Sequence, residues 1–233
     1  MGMAAARFLF SFMLASLLAL ASLHGAHAVH FAVVNRALNT SGGMRFKNEL
    51  GVNYTQQKMG TASNFIWNLF NETTPADRKN VKNVSLFVDN IPGIAHVINN
   101  EIHVGAKYIE SITGDIKPEF NGVLYHEMTH IWQSHANHQA PNGLIEGIAD
   151  FVRLKANYVP HRWAKPGEGL SWKQGSSVTA RFLDYCNGLH QQQGFVAQLN
   201  KKMRDGYSDS FFQELLGKTV DQLWTDYKTK FAN

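Results

Sequence analysis

The stretch that most constrains this chain is His126-Glu127-Met128-Thr129-His130, set within Asn121-Gly-Val-Leu-Tyr-His-Glu-Met-Thr-His-Ile-Trp-Gln133. On a helix, residues four apart share a face, so both imidazoles can reach one zinc ion at about 2.0–2.1 Å, with Glu127 alongside as a base toward water. The surroundings favour a helix, because Val123, Leu124, Ile131 and the flanking aromatics recur at helical spacing and Gly122 marks a break upstream. A five-residue match of this kind also arises by chance, so the neighbouring sequence has to carry the rest.

A zinc ion that does chemistry takes three protein ligands and leaves a fourth position to water. In one clan a His at the eleventh position of the motif completes the set, but that position is Ala136, and Gln133 stands where that clan has Gly. His135 and His138 miss the register and stay as lesser alternatives. The stronger candidate is Glu146 in Asn142-Gly-Leu-Ile-Glu-Gly-Ile-Ala-Asp-Phe-Val-Arg-Leu-Lys155, which reads as a second helix with Asn142 as N-cap after Pro141. Glu146 and Asp150 share a face otherwise built of Ile145, Ile148, Ala149 and Val152. Unpaired carboxylates on an apolar stretch are costly to bury. A zinc for Glu146 and a His N–H for Asp150 would account for them, Asp150 orienting a ligand. The alternative is a surface helix whose acids pair with Arg153 and Lys155.

Tyr125-His-Glu-Met-Thr-His-Ile-Trp-Gln133 followed by Gly143-Leu-Ile-Glu-Gly-Ile-Ala-Asp-Phe-Val-Arg-Leu-Lys155 resembles the plant basic secretory protein family. Glu101-Ile-His-Val-Gly-Ala-Lys-Tyr108, Thr179-Ala-Arg-Phe-Leu-Asp-Tyr-Cys186 and Gly217-Lys-Thr-Val-Asp-Gln-Leu-Trp224 extend the likeness over nearly all the chain after its first thirty residues. The resemblance implies a secreted, defence-associated zinc peptidase of the gluzincin kind. It makes His126, His130 and Glu146 the ligands, Glu127 the base, and Asp150 the support of a ligand. One departure stands out. Where the family pattern reads Gln-Gly-Tyr-Asp-Val-Thr-Ala-Arg, this chain has Gln174-Gly-Ser-Ser-Val-Thr-Ala-Arg181, so Ser176 and Ser177 replace a Tyr and an Asp.

At 233 residues with 44% hydrophobic content, the chain suits one domain with a sizeable core. Residues 1–28 read as a signal peptide: Arg7 supplies the positive region, Phe8 to Leu20 the apolar run, and Ala26-His27-Ala28 a small-x-small cleavage site. The run is too short for a membrane anchor, and no other stretch reaches spanning length. Loss of Arg7 lowers the net charge from +4 to +3. That mild basicity suits acidic surfaces such as cell-wall polymers; without a Lys/Arg cluster interleaved with aromatics it does not argue for nucleic acid. Sequons at Asn39, Asn53, Asn71 and Asn83 are glycosylation candidates, all upstream of the metal motif. The single Cys186 cannot form an intramolecular disulfide and reads as a buried small hydrophobe.

The expected fold is α+β and zincin-like, a single peptidase domain over 29–233. It comprises an N-terminal mixed sheet lobe (about 29–115), metal-binding helices (about 117–157) and a C-terminal helical lobe (about 172–231). Strands are expected at His30–Val34, Val84–Val88, Ala95–Ile98 and Glu101–Ile109, the last two joined through a tight turn at Asn99-Asn100, with a helix at Ser63–Phe70. His103 to Tyr108 is the candidate edge strand for a peptide substrate. A Pro/Gly-rich loop, Tyr158 to Gly169, precedes helices at Val178–Asn187, Phe195–Asp205, Ser210–Leu216 and Val220–Phe231, with Gly188, Gly194, Gly206 and Gly217 as stops. Tyr125, Tyr158 and His161 are candidate oxyanion donors. The reading is a secreted zinc metallopeptidase acting on a peptide or protein substrate. Its alternative is a catalytically weak or inactive defence or cell-wall-binding protein that keeps its zinc site.

Overall fold

The computed structural model describes residues 29–189 and 194–232, so the expected signal peptide and His190 lie outside the described residues. The chain opens with strand β1 (His30–Asn35), whose parallel neighbour β2 (Asn83–Asp89) is reached only after two helices, α1 (Ser41–Glu49) and α2 (Gly51–Leu69). A parallel pair requires such a crossover. α1 is capped by Thr40, whose hydroxyl accepts from Gly43 N at 3.1 Å. β3 (Ala95–Ile98) and β4 (Glu101–Gly105) form an antiparallel hairpin, and the sheet order is β1-β2-β4-β3. Asn99 and Asn100 both have positive φ (57° and 81°), as the expected tight turn requires.

β4 stops at Gly105, where the chain turns into α3 (Ala106–Ser111). A Cβ on Gly105 would lie 2.5 Å from the Gly93 carbonyl, so this close backbone approach needs the glycine. Two expectations fall here: the strand does not run to Ile109, and His103 to Tyr108 is not the sheet edge. β4 is sandwiched between β2 and β3, and β3 is the edge. The helix expected at Ser63–Phe70 is the end of the longer α2, and α1 was not legible. Its Gly42-Gly43 pair weakens helical propensity, yet the helix forms because those glycines let its backbone close on Ala106 and Ala37.

Helix α4 (Ile116–Trp132) carries the His-Glu-x-x-His stretch and packs against α2. Asp115 caps it by accepting from Lys117 N at 3.0 Å. Trp132 meets Trp67 edge-on with ring centroids 4.9 Å apart and donates its indole N–H to Ser63 Oγ at 3.1 Å. Gly122 lies inside this helix rather than before it, because a Cβ there would fall 2.6 Å from Arg153 Nε. That guanidinium crosses α4 to pair with Glu119 at 3.1 Å.

Helix α5 (Asn142–Lys155) follows, with Pro141 rather than Asn142 at its N-cap position and no side-chain cap bond. It packs on α6 (Ser176–Leu189) at very short range: a Cβ on Gly147 would lie 2.3 Å from Thr179 Cγ2. α6 starts two residues earlier than expected and passes through Gly188, whose missing side chain faces open space. α7 (Phe195–Lys202), α8 (Ser210–Leu216) and α9 (Val220–Lys230) complete the chain, with Gly217 in the left-handed conformation (φ 75°) ending α8. Phe182 of α6 anchors an aromatic cluster with Phe212, Trp224 and Tyr227. The fold is α+β, a four-stranded mixed sheet with two α-helices between its first two strands and the remaining α-helices after its last. No described helix is long and apolar enough to cross a membrane.

Candidate active site

His126 and His130 lie one turn apart on α4, and their Nε2 atoms are 3.1 Å apart. α5 brings Glu146 to them: its carboxylate oxygens lie 3.3 Å from His126 Nε2 and 3.7 Å from His130 Nε2. The candidate ligand atoms all fall within 4.8 Å of one another. Tetrahedral ligands at zinc bond lengths sit roughly 3.3 Å apart, so two imidazole nitrogens and one carboxylate oxygen at these spacings fit a zinc ion. Glu127 is buried beside them and lines the same cleft.

Asp150, one turn along α5 from Glu146 and 5% exposed, accepts from His126 Nδ1 at 2.7 Å. With the Nδ1 hydrogen committed to Asp150, His126 Nε2 is left facing Glu146 and His130. The surface-helix alternative fails, since Arg153 pairs with Glu119 and Lys155 with Asp184. Sequence reasoning did not single out Gln133 as a partner of the site. Its amide lies 2.9 Å from His130 Nδ1, and its Oε1 is buried without a partner. Turning the amide about its last bond would give that oxygen the Nδ1–H of His130 and leave His130 Nε2 free to coordinate, at the loss of the Gln133 bond to the Ile145 carbonyl at 3.3 Å. A Gln three residues after His130, at the end of α4, was the available signal.

As these residues stand, the charges are strongly coupled. Burial works against a charge on His126, but the hydrogen bonds to Asp150 and then Glu146 outweigh it and raise its pKa to about 10. Burial and the neighbouring His126 charge push His130 down to about 3, so the pair shares one proton. His126 bonding, against the effect of burial, lowers Glu146. Burial raises Glu127 to about 7, with His126 opposing and the Glu146 and Asp150 charges reinforcing. A cluster that holds opposed, perturbed groups in a cleft is the signature of a functional site.

The cleft, about 560 Å³, lies between these helices and edge strand β3, and Ala95, His96 and Val97 line its far wall. His135 and His138, the lesser ligand alternatives, line it too without joining the triad. Tyr125, Tyr158 and His161 do not line the cleft. Tyr125 is buried against Phe65 and Tyr158, while Tyr158 and His161 line a separate depression with Tyr108 and Glu119. Ser176 is also absent from the lining, though the bend at Gly175 packs on Gly143, less than a turn before Glu146. Ser177 accepts from Ala164 N at 3.3 Å. Asn39, Asn53, Asn71 and Asn83 are all exposed and outside the cleft.

Residues 26–227 match the family described as "Peptidase of plants and bacteria". The chain belongs to that family. It is also 40% identical over 63 residues to a protein of Boswellia serrata named "Basic secretory protease", a match covering 27% of this chain and 70% of that relative. No solved structure matches the chain. The family of basic secretory proteins expected from the sequence is therefore the one found, and it is a family of peptidases.

Proposed function

We propose that the protein is a zinc-dependent metallopeptidase of the gluzincin type, with His126, His130 and Glu146 as metal ligands and Glu127 as general base. The observation that carries this reading is the convergence of the three donor atoms from α4 and α5, with Asp150 holding His126 in the coordinating tautomer. When bound, zinc supplies Lewis acidity, making a water acidic near neutral pH and polarising the scissile carbonyl. The carboxylate of Glu127 takes the proton from the attacking water and delivers it to the leaving amine nitrogen. Its burial and raised pKa suit that exchange, because a base works best with a pKa near the operating pH.

The substrate backbone is held by edge strand β3. Gly105 N donates to Ile94 O at 2.9 Å, so by alternation along an antiparallel pair the amides of His96 and Ile98 also face β4. Those of Ala95 and Val97 point away from the sheet, where an extended peptide can pair with them. Secretion into the cell-wall space, glycosylation at the four exposed sequons and a mild affinity for acidic polymers complete the reading. The name of the Boswellia serrata relative supports the first of these.

A second reading is a weakened peptidase that retains the metal site. Among the described residues no tyrosine lines the cleft, and Ser176 stands where the family pattern has Tyr. Loss of one oxyanion donor typically costs about 10²–10³ in rate. Metal analysis tests the primary reading: purified protein is expected to hold one zinc per chain, and Glu146→Ala to lose it on dialysis. Full zinc retention by Glu146→Ala overturns the gluzincin assignment.

A further inference from the structure

We propose that the cleft beside the triad takes an acidic side chain of the substrate, held by Lys79 together with His135 and His138; this rests on the peptidase reading of the same cleft. Lys79 Nζ donates to the carbonyls of Ile131 at 2.8 Å and Gln133 at 3.1 Å, at the end of the metal helix. That placement pins a cation to the cleft wall with one of its three N–H bonds still to give. Among the described residues no carboxylate lies within ion-pair distance of Lys79. Glu72, whose charge reaches it, is already bound to Arg204 at 3.1 Å. Lys79 is exposed as a residue, but its ammonium is tucked against the helix end, and the surrounding atoms pull its pKa down. An incoming carboxylate supplies the missing counter-charge.

The acids that line the cleft, Glu127 and Glu146, are the proposed base and ligand, so neither neutralises this wall. His135 and His138 extend it with their rings near-parallel, at 13° and 6.5 Å between centroids. Burial holds His135 neutral, with its pKa lowered to about 4, so it offers an N–H rather than a charge. Their loop is held in an unusual backbone. Ala136, Asn137 and His138 have φ of 51°, 51° and 63°, three successive left-handed residues without a glycine. Such a run persists only where surroundings impose it, and strain of this kind gathers at ligand clamps. Here Ser134 N donates to Asn200 Oδ1 at 2.8 Å, and Asn137 Nδ2 to the Asp205 carbonyl at 3.4 Å. Asn200 of α7 and the Asp205 carbonyl just beyond that helix thus hold the loop that carries both imidazoles into the cleft with Lys79.

The test uses zinc-loaded protein and fluorogenic peptides carrying Glu, Gln or Lys in turn at each position flanking the scissile bond. At one position Glu is expected to exceed Gln by about 10- to 100-fold in kcat/KM, the range of a hydrogen bond to a charged group, with Lys poorest. Lys79→Met and the double variant His135→Gln/His138→Gln are each expected to shrink the Glu-to-Gln ratio. A ratio is insensitive to partial misfolding, and the double variant leaves the helix-end contacts of Lys79 in place. Equal cleavage of Glu and Gln peptides at every position, or a preference untouched by both variants, overturns the proposal. If the zinc-loaded protein cleaves none of the peptides, the peptidase reading fails instead. Calorimetric binding of the same Glu and Gln peptides then decides the subsite by the same ratio.

Discussion

His126 shows how one residue's chemistry depends on another element: its Nδ1 is held by Asp150 of α5, and the direction of its Nε2 follows. Asp150→Asn is expected to weaken zinc affinity by about 10–100-fold, the usual effect of losing a ligand's orienting carboxylate. Competition against a chromogenic chelator measures it, and unchanged affinity would reduce Asp150 to a helix-face acid. His135 titrates differently. Its folded pKa of about 4 lies below the ordinary value of 6.5, so the unfolded chain binds more protons between those values. Its contribution to stability is complete above about pH 6.5 and is lost as pH falls through 4. Urea unfolding in chelator should show wild type losing more stability over that window than His135→Gln; parallel losses would contradict it. The grouping of His126, His130 and Glu146 was legible because a period of four on two helices fixes which side chains share a face. Gln133 was not, since its role depends on a long-range fold that puts its amide between His130 and the Ile145 carbonyl.

Between elements, the spacing of α5 and α6 decides whether Glu146 and Asp150 reach α4. Thr179 sits in that contact, donating to the Trp172 carbonyl at 2.7 Å and accepting from Gly175 N at 2.8 Å. It therefore cannot swing away from a new methyl on Gly147, whose Cβ would lie 2.3 Å from Thr179 Cγ2. Gly147→Ala is expected to cost about 1–3 kcal/mol in urea unfolding, as overpacking does. A neutral result would show that the helices part without penalty. Hydrophobic periodicity located the C-terminal helices and the β3–β4 hairpin well. The sheet edge, expected at His103 to Tyr108 from its place just upstream of the His-Glu-x-x-His stretch, was misassigned because strand order is set by non-local pairing: β4 gains β2 as a parallel partner and is covered. Periodicity also cut α2 short, since Asn53, Gln56, Gln57 and Gly60 dilute the apolar stripe of its first half.

Across the described residues, one contiguous core links the sheet to the helices and leaves a cleft where edge strand β3, α4 and α5 meet. Cys186 is buried within it, and burial raises its thiol pKa well above normal, so it packs rather than reacts. The overall class was legible because the strands precede the helices that follow Gly105, with only two α-helices between β1 and β2; the cleft's basic wall was not, because Lys79 arrives from a loop some fifty residues before α4 ends. The proposed function turns on Glu127, which lines the cleft beside the proposed ligands and is assigned the role of base rather than ligand. The most direct measurement is peptide hydrolysis by wild type and Glu127→Gln at equal, measured zinc content. Full zinc occupancy is expected in both, with turnover lower by about 10²–10⁴-fold in the variant, the range of a lost general base. Turnover equal to wild type in zinc-loaded Glu127→Gln would contradict that role.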